Sequence, residues 1–306
     1  MLFFLLLSFS GDMYVNEFME LGVGARALGM GNAFVGLADD PTAFYWNPAG
    51  LTRLKNPELF LMHSADFDTI VTTNTAAFIY PSPQYTLGIA LYWVGGSAIP
   101  IVQDTTESGE GIIEKWVNPS DYVAYLSYAR SLKSMDVGIN IKGIYRNWAV
   151  ASAYGFETDC GILSTFKGIT FGLNLVNLIG APLYWSDSLV VSDTLSEPID
   201  IQDKVPLLVK SGVSIGEKFP IGKFNISLGF DTSPQKRVAQ FTEIHTDTYF
   251  GAEYWWKEKL ALRIGWDKGT FSTGCGLIYK TLKLDYALKF HQDLGLLKRL
   301  SGSMSF

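Results

Sequence analysis

Leu260-Ala261-Leu262-Arg263-Ile264-Gly265-Trp266-Asp267 carries an apolar residue at every even position and a small or charged one at every odd position. Successive side chains of a strand point to opposite faces, so a period of two describes a sheet with one apolar and one polar face. The pattern recurs outward from this stretch. Leu282, Leu284, Tyr286, Leu288 and Phe290 alternate with Lys283, Asp285, Ala287, Lys289 and His291. Phe224, Ile226, Leu228 and Phe230 alternate with Asn225, Ser227, Gly229 and Asp231. Val137, Ile139, Ile141 and Tyr145 do so with Asp136, Asn140, Lys142 and Arg146, and Tyr85 to Trp93 follows suit. A water-soluble antiparallel sheet with one wet face would share the alternation. Strands of about 9–12 residues, however, exceed the usual five or six and match a tilted bilayer crossing. The charges on the polar face suit a watery lumen.

Fourteen segments read this way: 58–67, 70–80, 85–96, 121–132, 135–148, 155–166, 168–178, 207–216, 223–232, 246–256, 259–267, 271–281, 282–291 and 297–306. The even number is what closed bacterial barrels have. The predicted fold is all-β: a transmembrane antiparallel β-barrel of about 14 strands with an N-terminal hatch or plug. Every second connection is short, while the others include the two longest, 97–120 and 179–206. Short periplasmic turns and long outer loops place both chain ends in the periplasm. The six short turns hold eight Lys and two Glu, whereas 97–120 and 179–206 are acidic. These two loops are ordinary solvated loops or an outer surface for calcium or a partner; neither shows EF-hand spacing.

Composition agrees. Only 18% of the 306 residues are charged, against about 25% in ordinary soluble domains. Aromatics reach 14% and mean hydropathy is +0.16, so the chain has ample apolar surface and is not disordered. A net charge of -6 argues against nucleic-acid binding. Two Cys exclude a disulfide scaffold or a Cys-rich metal site, and three His leave little for a metal centre or triad. His63, His245 and His291 lie far apart, with no elbow or triad motif around them. No enzyme activity, metal or cofactor is expected. Cys160 and Cys275 fall on different strands, as separate thiols.

Residues 1–10 read as a signal peptide: Leu2 to Leu7 are apolar, and Ser8 and Ser10 suit the cleavage site. Residues 11–57 do not alternate and form the expected hatch, leaving 58–306 for the barrel. Gly22, Gly24, Gly29, Gly31 and Gly36 crowd this segment, followed by Asp39-Asp40-Pro41 and Asn47-Pro48-Ala49-Gly50-Leu51. Glycine at this density permits close backbone approach to the wall, where Arg26 can meet lumen carboxylates. Gly22-Val23-Gly24-Ala25-Arg26-Ala27 matches a dinucleotide fingerprint only superficially, because no βαβ context surrounds it.

The run Leu21 to Asp40, leading into Phe44-Tyr45-Trp46-Asn47-Pro48-Ala49-Gly50-Leu51, resembles the N-terminal signature of the PorV/PorQ family, within the FadL-type outer-membrane superfamily. Gly172 to Gly180 resembles a mid-barrel strand end of that family. The alternating last strand, ending at Phe306, resembles the signal read by the barrel assembly machinery. The resemblance implies a 14-stranded barrel with a hatch in the bacterial outer membrane, and puts the hatch element on Asn47, Pro48 and Ala49.

Phe44, Trp46, Asn47, Pro48 and Ala49 are therefore the candidate hatch or ligand-adjacent residues, with Tyr45 beside them. Each is either close to an apolar ligand or a packing element between plug and wall. Asp39 and Asp40 read as a turn cap, with cation binding the alternative, and Asp136, Lys142, Arg146, Arg263, Asp285 and Lys289 as cross-strand lumen pairs, with a polar conduction path the alternative. Tyr254, Trp255, Trp256, Trp93 and Trp266 are expected in the interfacial girdle.

Two functions compete. The PorV-like reading is a non-enzymatic barrel acting in protein secretion of the type IX kind, binding exported proteins at 97–120 and 179–206. The FadL-like alternative is passive transport of a hydrophobic small molecule such as a fatty acid or hydrocarbon. The chain is shorter than typical FadL transporters and somewhat shorter than typical PorV proteins, which counts against substrate transport; the signature segment favours the first reading, and a third is a barrel with a mainly structural role. A bulged strand opening a lateral gap beside Asn47 would favour transport; a plug with no apolar cavity would favour the partner role.

Overall fold

The computed structural model describes residues 17–67, 69–105, 111–148, 151–186, 202–203, 205–236, 242–291 and 295–306. The expected signal peptide, the first residues of the expected hatch and much of 179–206 lie outside the described residues.

The described residues open with a 3-10 turn at Glu17–Leu21, followed by α1 (Ala25–Gly29), α2 (Ala43–Trp46) and a second 3-10 turn at Pro48–Arg53. Strands follow: β1 (Glu58–Asp66), β2 (Val71–Pro81), β3 (Thr86–Gly96), β4 (Ile99–Thr105), β5 (Gly111–Val117), β6 (Ser120–Ser131), β7 (Asp136–Trp148), β8 (Ala151–Phe166) and β9 (Ile169–Ser186). After them come β10 (Gln202–Asp203), β11 (Leu208–Phe219), β12 (Gly222–Lys236), β13 (Thr242–Trp256), β14 (Leu260–Asp267), β15 (Thr270–Tyr279), β16 (Leu282–His291) and β17 (Gly295–Ser305).

Fourteen of these close into an antiparallel barrel in the order β1-β2-β3-β6-β7-β8-β9-β11-β12-β13-β14-β15-β16-β17, with β17 pairing back onto β1. Closure leaves no edge strand, so ladder groups find partners without water along most of the wall. The final amide is also tied in, as the Phe306 N–H donates to the Pro57 carbonyl at 2.9 Å. The barrel strands overlap all fourteen segments expected from alternation. Outward positions are apolar and exposed along whole strands, as in Leu260, Leu262, Ile264 and Trp266 of β14. Their inward neighbours Ala261, Arg263 and Asp267 are buried. Among the described residues no helix is long and apolar enough to cross a membrane.

Two expectations need correction. Residues 97–120 are not merely a loop, since β4 and β5 pair as a separate two-stranded sheet in the connection from β3 to β6. Their β-branched and aromatic residues, Ile99, Ile101, Val102, Ile112, Ile113 and Trp116, favour extended pairing. Trp255 is not a girdle residue. Strand alternation turns it inward with Glu253, where it is 7% exposed, with the Arg263 and Lys283 cations 5.2 and 5.6 Å from its ring. Tyr254, Trp256, Trp93 and Trp266 do face outward.

Candidate functional site

Residues 18–54 lie inside the barrel, and most are buried. Small residues make this possible. Gly31 takes a left-handed φ of 60° and lies against the backbone of Trp266 and Phe250, so that a Cβ there would strike main chain. The wall answers with its own glycines: a Cβ on Gly138 would strike Pro48 and Ala49, and one on Gly161 would strike Asn47.

Asn47 is fully buried. Its side-chain oxygen accepts the Ala49 N–H at 3.2 Å, capping the following 3-10 turn. Its amide nitrogen lies 3.2 Å from the Val35 carbonyl, 3.1 Å from that of Ile162 on β8 and 3.4 Å from that of Leu173 on β9. Asn47 thus ties the N-terminal segment to two neighbouring strands. Phe44 and Trp46 are held similarly: Asn140 donates to the Phe44 carbonyl at 2.7 Å and Asn174 to that of Trp46 at 3.1 Å. The Phe44 ring meets Tyr125 edge-on at 5.0 Å, and the Trp46 indole N–H donates to the Val23 carbonyl at 2.8 Å.

Arg26 anchors the other side. Its guanidinium lies 2.8 Å from Glu253 on β13, 2.6 Å from Asp39 and 3.1 Å from Asp40. Burial opposes the charged guanidinium, but Asp39, Glu253 and Asp40 outweigh it and hold its pKa above the ordinary value. Asp40 also accepts the Thr42 N–H at 2.9 Å, the expected turn cap. The lumen pairs form as expected for Lys142 with Glu157 and Asp159, Arg146 with Asp121, Arg263 with Glu253 and Asp285, and Lys289 with Asp267. Asp136 instead accepts from the Ser131 hydroxyl at 2.6 Å.

Beside Asn47 the wall loses its regularity. Between the pairs Thr158–Ile179 and Cys160–Leu175, three residues of β9 (Val176, Asn177 and Leu178) face the single residue Asp159 of β8. Asn177 adopts a left-handed φ of 61°, which Asn tolerates better than most residues. On the other edge of β9, pairing with β11 stops at Val176–Leu208 and pairing with β10 begins only at Leu183–Asp203. The result is a window in the hydrogen-bond ladders, crossed by polar contacts. Asp159 accepts the Asn177 N–H at 3.1 Å, Lys142 donates to the Asn177 side-chain oxygen at 2.7 Å, and the Asn177 amide reaches the Pro206 carbonyl at 3.3 Å.

Behind this window lies a cavity of about 60 Å3, lined by Met19, Tyr45, Tyr125, Lys142, Asn177 and Leu208 among others. A cavity of about 150 Å3 accommodates benzene, whereas about 15 Å3 suffices for one water. This one holds a few waters, and a ring enters only if the window or the inner segment gives way. The Tyr45 hydroxyl donates to the Met19 carbonyl; burial first, then Glu20 and Asp231, push its pKa far up, so it stays protonated.

Of the candidate residues, only Tyr45 lines the cavity; Phe44, Trp46, Asn47, Pro48 and Ala49 pack behind it. Tyr125, Lys142, Asp159, Asn177 and Lys210 also line it, and nothing in the local pattern marks them as ligand-adjacent. One sequence signal marks the place: alternation loses phase at Leu175-Val176, just before Asn177 and Gly180.

No protein-family model matches the chain, and no curated protein sequence is similar to it. Solved structures of similar fold do exist. The Pseudomonas putida toluene transporter TodX superposes with a TM-score of 0.64 at 11% identity, over 93% of this chain and 99% of its own. The CymD monoaromatic hydrocarbon channel gives 0.63 at 12%, over 94% and 98%. A FadL homologue from Pseudomonas aeruginosa gives 0.52 at 12%, over 92% and 98%. At such identities the likeness shows a common FadL-type fold. It lends no support to the PorV/PorQ assignment raised by the N-terminal signature.

Proposed function

We propose that the chain is a passive outer-membrane channel for hydrophobic small molecules, of the size of a substituted benzene or a fatty acid. The observation that carries this reading is the window between β8, β9 and β11 beside Asn47, with a cavity behind it whose lining sets Tyr45, Tyr125 and Met19 beside the charged Glu20, Lys142, Asp159 and Lys210. A bulge that breaks two ladders at once costs hydrogen bonds, and the chain replaces them with side-chain contacts instead of a plain strand. Such a gap serves a solute that prefers lipid to water, because leaving sideways avoids crossing a watery lumen. The solved structures of similar fold include proteins described as a toluene transporter and a hydrocarbon channel, which supports uptake over secretion. In this reading residues 11–57 act as the hatch, Phe44, Trp46, Asn47, Pro48 and Ala49 hold it against the wall, and Tyr45 and Tyr125 meet the solute. Acidic loops at 97–120 and 179–206 then have no need of an exported partner.

The test is uptake of a labelled alkylbenzene and a labelled fatty acid by cells carrying the chain in a lipopolysaccharide-bearing outer membrane. Deleting Val176 and Leu178 leaves Asn177 opposite Asp159 and restores the ladder. Faster uptake by the wild type, lost in the deletion variant, supports the channel. Uptake equal to that of cells lacking the chain overturns it.

A further inference from the structure

The outward face of the barrel carries an aromatic belt on one register row: Tyr154 pairs with Tyr145, Tyr145 with Tyr122 and Tyr122 with Trp93. Trp93–Tyr122 and Tyr122–Tyr145 stack at 6.2 Å. On the far side Trp266 pairs with Phe271, which stacks on Phe290 at 6.2 Å. Amphipathic and aromatic rings collect where a barrel wall meets the headgroups. Between these two arcs no aromatic stands on this row of β2, β1 or β17, although Phe78 and Tyr80 face outward nearer the other end of β2. The row from Trp93 continues as Asn74 and His63, and Lys298 stands one step higher, opposite Ala65 and Leu288.

Lys298 is exposed on the outward face of β17, between Leu296 and Leu300. It has no carboxylate partner among the described residues. His63 is exposed too, its Nδ1 2.8 Å from the Asn74 side-chain oxygen; that oxygen only accepts, so the ring nitrogen donates. A cation on a lipid-facing stripe is unfavourable unless an anion at the headgroup level meets it.

A second, independent feature adjoins this patch. Leu300, the register neighbour of His63, borders an outward groove of about 500 Å3. The groove runs across β16, β15 and β14 to β13, past Tyr286, Cys275, Leu277, Leu262 and Trp256, and its lining is almost wholly apolar. Its size falls within the range of about 300–1,000 Å3 typical of small-molecule sites. It descends toward the short-turn end, where Trp256 closes β13.

We propose that this wall holds one phosphate-bearing membrane lipid, its headgroup phosphate on Lys298, His63 and Asn74 and one acyl chain in the groove beside Leu300. The ammonium of Lys298 and the Asn74 carboxamide supply donors to the phosphate oxygens. The cysteine at position 275 is small and exposed among large neighbours, which leaves the groove open for a chain.

Native mass spectrometry of the full chain in detergent micelles tests this, with phosphatidylglycerol added in one series and the diacylglycerol of the same acyl chains in another. One phosphatidylglycerol is retained per barrel, well above the diacylglycerol. Lys298→Leu lowers that retention about fivefold, the share of one lysine at a charged lipid surface. Cys275→Trp fills the groove and lowers retention of both lipids. Both substitutions sit on the lipid-facing wall, and folding is checked by the heat-dependent mobility shift on gels. Should Cys275→Trp fail to fold, Cys275→Phe replaces it as the groove-filling variant. Equal retention of the two lipids, or unchanged retention in Lys298→Leu, overturns the proposal.

Discussion

Asp159 accepts the backbone N–H of Asn177 at 3.1 Å, at the point where three residues of β9 face one residue of β8. A side chain here takes over the role of a missing ladder partner. The same carboxylate receives Lys142 at 2.8 Å and Asn140 at 2.9 Å, so the bulge is fastened to both β7 and β8.

Asp159→Ala removes this fastening. Lys142 retains Glu157 at 3.0 Å, but the Asn177 N–H is left without an acceptor. Loss of one member of a buried charged network costs about 3 kcal/mol, which lowers the urea midpoint in micelles. Amide hydrogen exchange over Val176–Ile179 rises far more than over β14. An unchanged exchange pattern in that stretch would show that the contact does not hold the window.

Arg26→Leu tests the anchor on the opposite wall. Glu253 keeps Arg263 at 2.6 Å, but Asp39 and Asp40 lose their common partner. The expected loss is about 3 kcal/mol, read as a lower thermal midpoint. Adding Glu253→Gln to the Arg26 variant costs less than it does in the wild type, because the two residues share one interaction. Strict additivity would sink the idea of a coupled anchor.

Lys268, in the turn after β14, lies 3.1 Å from Glu20 and 2.7 Å from Asp247. Burial lowers its pKa, but Glu20 and Asp247 more than compensate and raise it above the ordinary lysine value. A raised folded-state value means the contribution is whole below the ordinary value and fades as pH climbs through the raised one. Stability of the wild type therefore falls at strongly alkaline pH, while Lys268→Met shows a smaller fall. The measurement is thermal unfolding across an alkaline series. Identical curves for the two proteins would refute the linkage.

Gly138→Ala and Gly143→Ala make a matched pair on β7. A Cβ at 138 strikes Pro48 and Ala49, whereas one at 143 has nothing within 4 Å. Overpacking at 138 costs about 1–3 kcal/mol, and the substitution at 143 stays within about 0.5 kcal/mol. The fraction folded, read from gel mobility before and after heating, separates the two. Equal behaviour would mean that the inner segment does not press on this wall.

Much of the molecule is legible in the residues alone. Alternation such as Leu260 to Asp267 carries its own evidence, because a period of two depends only on backbone geometry. It therefore yields strand positions, the closed fourteen-stranded barrel and the lumen pairs of Lys142, Arg146, Arg263 and Lys289. The glycine-rich run before residue 57 marks a backbone that must press against something. Where alternation is ambiguous, the reading slips: three adjacent aromatics, Tyr254-Trp255-Trp256, look alike until register with Leu262, Ala261 and Leu260 turns Trp255 inward. The hairpin β4–β5 escapes the alternation because Ile99-Pro100-Ile101-Val102 and Ile112-Ile113 do not keep a period of two, and its register shifts at Val102.

The local sequence determined which residues face lipid and which face the lumen, since neighbouring side chains of a strand must diverge. Only the tertiary structure decided what meets across strands distant in sequence. Asn47 sits beside β8 and β9, Arg26 meets Glu253, and Lys298 stands one step from His63. None of these pairs is close along the chain. Each exists because closure of the barrel sets the register, and register brings residues together that no local pattern relates.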